Sequence, residues 1–216
     1  MTTVPPDPSI YHITHLNNLA PIISSGWLLS DSRIAQLGGP ASMIGMSAIK
    51  TRRMTQIGVP IHPGTFVGDY VPFYFCPRSI MLYVIFCANS AELTYRGGQG
   101  PIVHLEARLQ DVIAWAEHQA RRWAFSLSNA GAFYVQLRGT VPDLNQIDWN
   151  AVAARDFRPA WVKEGKQAEF LLHEFFPWTL VRRIGVHSMQ VHQQVTQVLA
   201  SASHRPPVEI RADWYY

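Results

Sequence analysis

Apolar and polar positions alternate along this chain in two rhythms, a two-residue period and a helical one, and neither holds for long. Residues 10–14, Ile-Tyr-His-Ile-Thr, read as a short strand. Leu16, Leu19, Ile22 and Ile23 then fall at helical spacing, with Gly26 as a natural stop. Trp27-Leu28-Leu29 reads as a return strand. Residues 31–68, rich in Gly, Pro, Ser and Met, show no period and predict a long irregular connection, of the kind that is usually functional or mobile. Residues 71–75 predict a strand with Pro72 near its start. The apolar run 79–88 fits either a short helix or a helix leading into a strand. Beyond a Gly-rich loop at 97–101 come a strand at 102–106, a helix over 109–122, and 123–125 leading into a Ser/Asn/Gly loop at 126–131. Residues 143–158 predict a polar helical region. Segments 170–172, 180–181 and 184–186 predict further strands or short helices, 191–201 an amphipathic helix and 208–211 a last strand. Residues 1–9, with three prolines, read as a tail. Strands mixed with scattered helices, without a regular βαβ alternation, predict an α+β fold.

Composition narrows the class. The chain has 216 residues, is 48% hydrophobic and only 15% charged. That length suits one substantial core, so a single domain is expected, and the low charge argues against disorder. Two cysteines, Cys76 and Cys87, suggest neither a disulfide framework nor a zinc site. Without a signal pattern or an apolar stretch of membrane-spanning length, a cytoplasmic protein with no membrane partner is expected. Net charge is only +3, yet Lys50, Lys163 and Lys166 are the only lysines among the 18 basic residues. Such an arginine skew follows either from coding bias or from a phosphate-rich ligand, a nucleotide or a nucleic acid.

Several chemistries are excluded. Neither G-x-G-x-x-G after a strand nor G-x-x-x-x-G-K-[ST] occurs, so Rossmann and P-loop sites have no support. No zinc spacing and no G-x-S-x-G elbow is present. His12 and His15 lie three apart but lack a third ligand, so no metal is expected. What remains is Glu169, at the threshold of an apolar strand, and the Tyr11-His12-Ile13-Thr14-His15 cluster far away in sequence. A carboxylate there is costly to bury without a partner or a task. It is either a salt-bridged structural acid or a group suited to positive charge developing at a sugar carbon.

Several stretches in order along the chain resemble the DarT family of DNA ADP-ribosyltransferase toxins. They are Tyr11-His12-Ile13-Thr14-His15-Leu16-Asn17-Asn18-Leu19, then residues 69–79 (DYVPFYFCPRS), Met81-Leu82-Tyr83 and residues 97–105 (GGQGPIVHL). Lys166-Gln167-Ala168-Glu169-Phe170-Leu171 with Phe176-Pro177-Trp178, and Asp213-Trp214-Tyr215-Tyr216, complete the set. The resemblance implies an ADP-ribosyltransferase fold with a split, bent central β core flanked by helices, and NAD⁺ as co-substrate. It implies transfer of ADP-ribose to a thymine base in single-stranded DNA, and a macrodomain antitoxin (DarG-like) as partner. By matching position it implies Glu169 and Arg53 as catalytic residues, with Arg52 the alternative arginine. His12, Thr14, His15, Asn18 and Arg53 are implied at NAD⁺, and Tyr74, Arg78, Met81 and Asn129 at the DNA. Tyr70 and Tyr74 are expected to stack bases, and Arg78, Arg96 and the 31–68 segment to meet phosphates. The alternatives are an ADP-ribosyltransferase acting on guanine, RNA or protein, and a non-catalytic single-strand-binding module.

Overall fold

A computed structural model describes residues 3–216. The chain begins with β1 (Ser9–His15), a 3₁₀ turn (Leu16–Asn18), α1 (Leu19–Ser25), β2 (Trp27–Leu29), α2 (Asp31–Gln36) and α3 (Ser47–Thr55). A second 3₁₀ turn (Val67–Asp69), β3 (Tyr70–Tyr74), α4 (Ile80–Cys87), β4 (Ile102–Arg108), α5 (Leu109–His118), β5 (Trp123–Ser126) and β6 (Leu137–Arg138) follow. A 3₁₀ segment (Val141–Gln146), α6 (Trp149–Ala153), α7 (Ala160–Gly165), β7 (Glu169–His173), β8 (Phe175–Pro177), a 3₁₀ turn (Trp178–Leu180), β9 (Arg183–Val186), α8 (Met189–Leu199), β10 (Val208–Ile210) and a last 3₁₀ turn (Ala212–Trp214) complete the described architecture.

Gly26 stops α1 as expected: it takes the left-handed conformation (φ 76°) and its N–H donates to the carbonyls of Ile22 and Ile23. Ser79 caps α4 by accepting from the Leu82 N–H, so the ambiguous apolar run resolves as a helix. Two expectations are corrected, and of the strand-or-helix alternatives at 180–181 the short helix is found, Leu180 ending the 3₁₀ turn Trp178–Leu180. The 31–68 connection contains two helices, α2 and α3. The expected tail is fastened down: Ser9 already belongs to β1, the Leu109 N–H donates to the Pro8 carbonyl, and Asp7 pairs with Arg108 and Arg182. Met1 and Thr2 of that tail lie outside the described residues.

Eight strands form one sheet in the order β10-β9-β4-β1-β3-β7-β5-β6, and β2 pairs with β8 separately. β1 pairs with β4 along its whole length, from Ser9 opposite Arg108 to His15 opposite Ile102. Against β3 it pairs only where Tyr11 faces Tyr74. The sheet therefore splays between β1 and β3, which is the split β core in physical form. Alternation in β7 sends Phe170 and Leu172 into the main core with Phe73 and Phe125, and Leu171 into a smaller cluster with Val67 and Tyr70. Glu169, two residues before Leu171, shares Leu171's face and lies opposite Tyr74 in register. Gly68 lets α3 settle on the 3₁₀ turn before β3: a Cβ there would meet the Met54 backbone at 2.7 Å. Among the described residues no helix is long and apolar enough to cross a membrane.

Candidate active site

A cavity of about 640 Å³ opens at the splay between β1 and β3, within the roughly 300–1,000 Å³ range of small-molecule sites. Its walls come from β1 (His12, Thr14), the loop 37–46, α3 (Ile49, Lys50, Arg53), β3 (Pro72, Tyr74) and α4 (Met81, Val84), with Asn129, Gln167 and Glu169 at one end.

Glu169 is 2% exposed. Both its oxygens are held by one guanidinium: Arg53 Nη1 donates to Oε1 at 3.0 Å and Nη2 to Oε2 at 2.8 Å. Its backbone N–H donates to Ser126 Oγ, which fixes the start of β7 against β5. Desolvation opposes charge on Arg53, but the facing carboxylate outweighs it and keeps the guanidinium protonated beyond its ordinary range. Arg53 Nε has no hydrogen-bond partner among the described residues. A carboxylate offers about four acceptor sites, so Glu169 keeps two for a ligand while paired. Arg53 rather than Arg52 faces the cavity because it lies four residues from Ile49, on the same side of α3. Arg52 is half-buried and not among the cavity-lining residues, its guanidinium 5.6 Å from the Phe133 ring.

His12 bridges the splay. Its Nδ1 donates to the Pro72 carbonyl at 2.8 Å, leaving Nε2 as an acceptor. Burial pushes its pKa down to about 4, with a small opposing contribution from the Pro72 carbonyl, so the ring is neutral near pH 7. His104 is lowered to about 4 in the same way, with Nε2 donating to the Pro77 carbonyl. In the unfolded chain both rings take up protons below about pH 6.5, whereas the folded rings do so only near 4. The unfolded state thus binds more protons in that window, and stability falls as pH drops from about 6.5 to 4. Urea midpoints at pH 7 and pH 5 are expected to show the loss; a midpoint equal or higher at pH 5 contradicts it.

Tyr74 lines the cavity, and burial followed by the nearby Glu169 carboxylate raises its pKa, so its hydroxyl stays protonated. Thr14 lines the β1 wall. Asn18 lines the cavity and also fastens its loop. Its Nδ2 donates to Thr14 Oγ1 and to the Ser42 carbonyl, and its Oδ1 accepts from the Ser42 N–H at 2.8 Å. The side chain pins the 37–46 loop over the cavity. Asn18→Ala is expected to weaken binding of a ligand held under this loop about tenfold, the worth of one or two hydrogen bonds; a binding titration with a dinucleotide checks it, and an unchanged affinity contradicts it.

Other expected contacts divide. Met81 and Asn129 line the cavity, but both ends of the Asn129 amide are engaged, its Oδ1 by the Gly131 N–H and its Nδ2 by Gln167. His15 lies outside the lining; it caps the first 3₁₀ turn by accepting from the Asn17 N–H and packs edge-on to Tyr95. Arg78 is also outside it, 4.3 Å over the Tyr216 ring. Tyr70 is buried and shares a hydrogen bond with Thr65, so no base can stack on it. Arg96 is exposed and donates to the carbonyls of Ala88 and Ser90. Sequence reasoning missed Gln167, Lys50 and its partner Asp31, and the exposed Phe133 and Tyr134. Among the described residues no group of three His, Cys, Asp or Glu side chains is placed to hold a metal.

The family described as ssDNA thymidine ADP-ribosyltransferase, DarT, matches residues 11–216. The chain belongs to the DarT family. It is 41% identical to a DNA ADP-ribosyl transferase of Thermus aquaticus over 210 residues, covering 96% of this chain and 88% of that one. A DNA ADP-ribosyl transferase of Thermus sp. strain 2.9 is 39% identical over 218 residues, 99% of both chains. The structure of Thermus sp. 2.9 DarT in complex with ADP-ribosylated ssDNA superposes with a TM-score of 0.88 at 37% identity, covering 100% of this chain and 99% of that one. The same DarT in complex with NAD⁺ gives 0.83 at 36% identity, covering 99% and 100%. The mixed fold with its large sheet is thus the DarT fold over the whole described chain. The cavity suits a dinucleotide on its own terms: Thr14 and His12 Nε2 offer hydroxyl partners, Arg53 Nε is an unspent cationic donor, and Met81, Val84 and Pro72 supply apolar walls.

Proposed function

We propose that this DarT-family chain transfers ADP-ribose from NAD⁺ to a thymine base in single-stranded DNA, with Glu169 and Arg53 carrying the chemistry. The observation that supports these roles most is the paired Glu169 and Arg53 side chains at the end of a dinucleotide-sized cavity, both lining it.

NAD⁺ enters the splay with its nicotinamide ribose toward Glu169. A carboxylate oxygen accepts from a ribose hydroxyl, and as the bond to nicotinamide breaks, positive charge spreads over the sugar ring opposite a fixed negative charge. Nicotinamide leaves as a neutral base. The thymine ring nitrogen attacks the anomeric carbon and loses its proton to water, so the products are ADP-ribosyl-thymine, nicotinamide and H⁺. Arg53 is too firmly protonated to act as the base. Its role is electrostatic: it orients Glu169 and stabilises negative charge on the thymine or the pyrophosphate. His12 Nε2 and Thr14 supply hydrogen bonds to the sugar. Tyr74, Met81 and Asn129 form the wall where the acceptor enters. Inside a duplex that thymine nitrogen is occupied by base pairing, which explains the need for a single strand.

Residues 1–216 serve as one catalytic unit on this reading, supported by a sheet that draws strands from near both ends of the described chain. NAD⁺ and single-stranded DNA as substrates favour a cytoplasmic location, with a macrodomain antitoxin of the DarG kind as the partner that reverses the modification. The test is an acceptor panel. Single-stranded DNA with and without thymine, RNA, and protein are incubated with NAD⁺, and mass spectrometry seeks one added ADP-ribose. Modification of thymine strands alone is expected; modification of RNA, protein or thymine-free DNA in preference overturns the acceptor.

A further inference from the structure

The outer face of α4 carries two large rings left in water: Tyr83 is 42% exposed and Phe86 52%. Three positions apart on a helix, they share a face. Met81 and Val84 of the same helix line the cavity. Tyr216 packs against both rings, at 5.1 Å and 62° from Tyr83 and at 6.0 Å and 25° from Phe86. It is firmly held, with its N–H donating to Gln99 Oε1 at 3.0 Å, its carbonyl accepting from Gln99 Nε2, and its hydroxyl donating to the Arg78 carbonyl at 3.1 Å. The Arg78 guanidinium stands 4.3 Å over the Tyr216 ring and 5.2 Å from that of Phe157. Its buried Nε has no hydrogen-bond partner, and no carboxylate pairs with it among the described residues.

The geometry points to a stacking platform, built by Tyr83, Phe86 and Tyr216 with Arg78 beside them, that holds nucleotides flanking the acceptor thymine. This rests on single-stranded DNA being the acceptor. Exposed rings next to a cation without a counter-ion match the alternation of bases and phosphates in a single strand, and not an uncharged surface. The platform is continuous with the cavity through α4, whose two sides are about 10 Å apart, so it serves nucleotides close to the acceptor. Rings fixed in place before binding lose little entropy when a base settles on them.

The test compares a thymine-containing dodecamer with a thymidine trinucleotide. Tyr83→Leu/Phe86→Leu keeps apolar bulk and removes both rings; Tyr83→Phe/Phe86→Tyr keeps them. Fluorescence anisotropy of the labelled dodecamer without NAD⁺ is expected to show about tenfold weaker binding for the leucine pair. The dodecamer KM should rise by a similar factor, the trinucleotide kcat/KM should stay within twofold, and the aromatic pair should behave as wild type. Unchanged dodecamer binding overturns the platform, as does an equal fall on both substrates. Loss of self-association or of antitoxin capture with DNA binding intact also overturns it and assigns the patch to a protein. If wild type binds the dodecamer through these rings yet modifies no DNA, thymine transfer fails while the platform stands.

Discussion

Glu169→Gln is expected to slow ADP-ribose transfer at least about a hundredfold, the cost of removing one preorganised electrostatic group at roughly 3–4 kcal/mol. The amide keeps the shape of the carboxylate, removes its charge and leaves one acceptor oxygen where Arg53 now holds two. What is lost is therefore stabilisation of the sugar cation rather than the cavity, and NAD⁺ affinity should change far less than kcat. Stability should hold better than the about 3–5 kcal/mol penalty for breaking a fully buried ion pair, because the Arg53 side chain is 11% exposed and reaches the cavity. Nicotinamide release and oligonucleotide modification, measured beside a thermal melt, check both parts. A variant that transfers ADP-ribose within a fewfold of wild type removes Glu169 from the mechanism.

Arg53→Lys should cost about ten- to a hundredfold in kcat/KM, although the charge is conserved. A lysine ammonium is a point charge whose three donors radiate from one nitrogen; it cannot make the two parallel bonds that now fix both Glu169 oxygens and keep a donor where Nε stands. Arg52→Ala, one position away, should stay within a fewfold of wild type, since Arg52 points to Phe133 outside the cavity. The two variants side by side distinguish the arginines. A large loss at Arg52 with little at Arg53 reverses the assignment.

Much of this site was legible before any coordinates, and the reason differs from residue to residue. Glu169 stands out because an acid at the mouth of an apolar strand needs a partner, and His12 and Thr14 because they cluster on a short strand. α3 was hidden. It has no buried residue, and the side it turns to the cavity is Ile49, Lys50 and Arg53, so the apolar stripe that announces a helix is missing. Asn18 is legible as a cavity residue, but its hold on Thr14 and on Ser42, 24 positions away, is not written in any local pattern. His15 follows His12 by three residues, but it falls at the end of β1, where it caps a turn instead of lining the cavity. Arg78 and Tyr216 are separated by 138 positions, a pairing no local pattern encodes. Residues 180–181 left strand and short helix open, because two apolar residues carry no period; the 3₁₀ turn Trp178–Leu180 decides for the helix at Leu180.

The most direct measurement is a structure of this chain with bound NAD⁺. The nicotinamide ribose is expected in the splay between β1 and β3, with a sugar hydroxyl donating to Glu169 and Arg53 still holding the carboxylate. A dinucleotide bound elsewhere, or one lying in the cavity with that ribose turned away from Glu169, contradicts it.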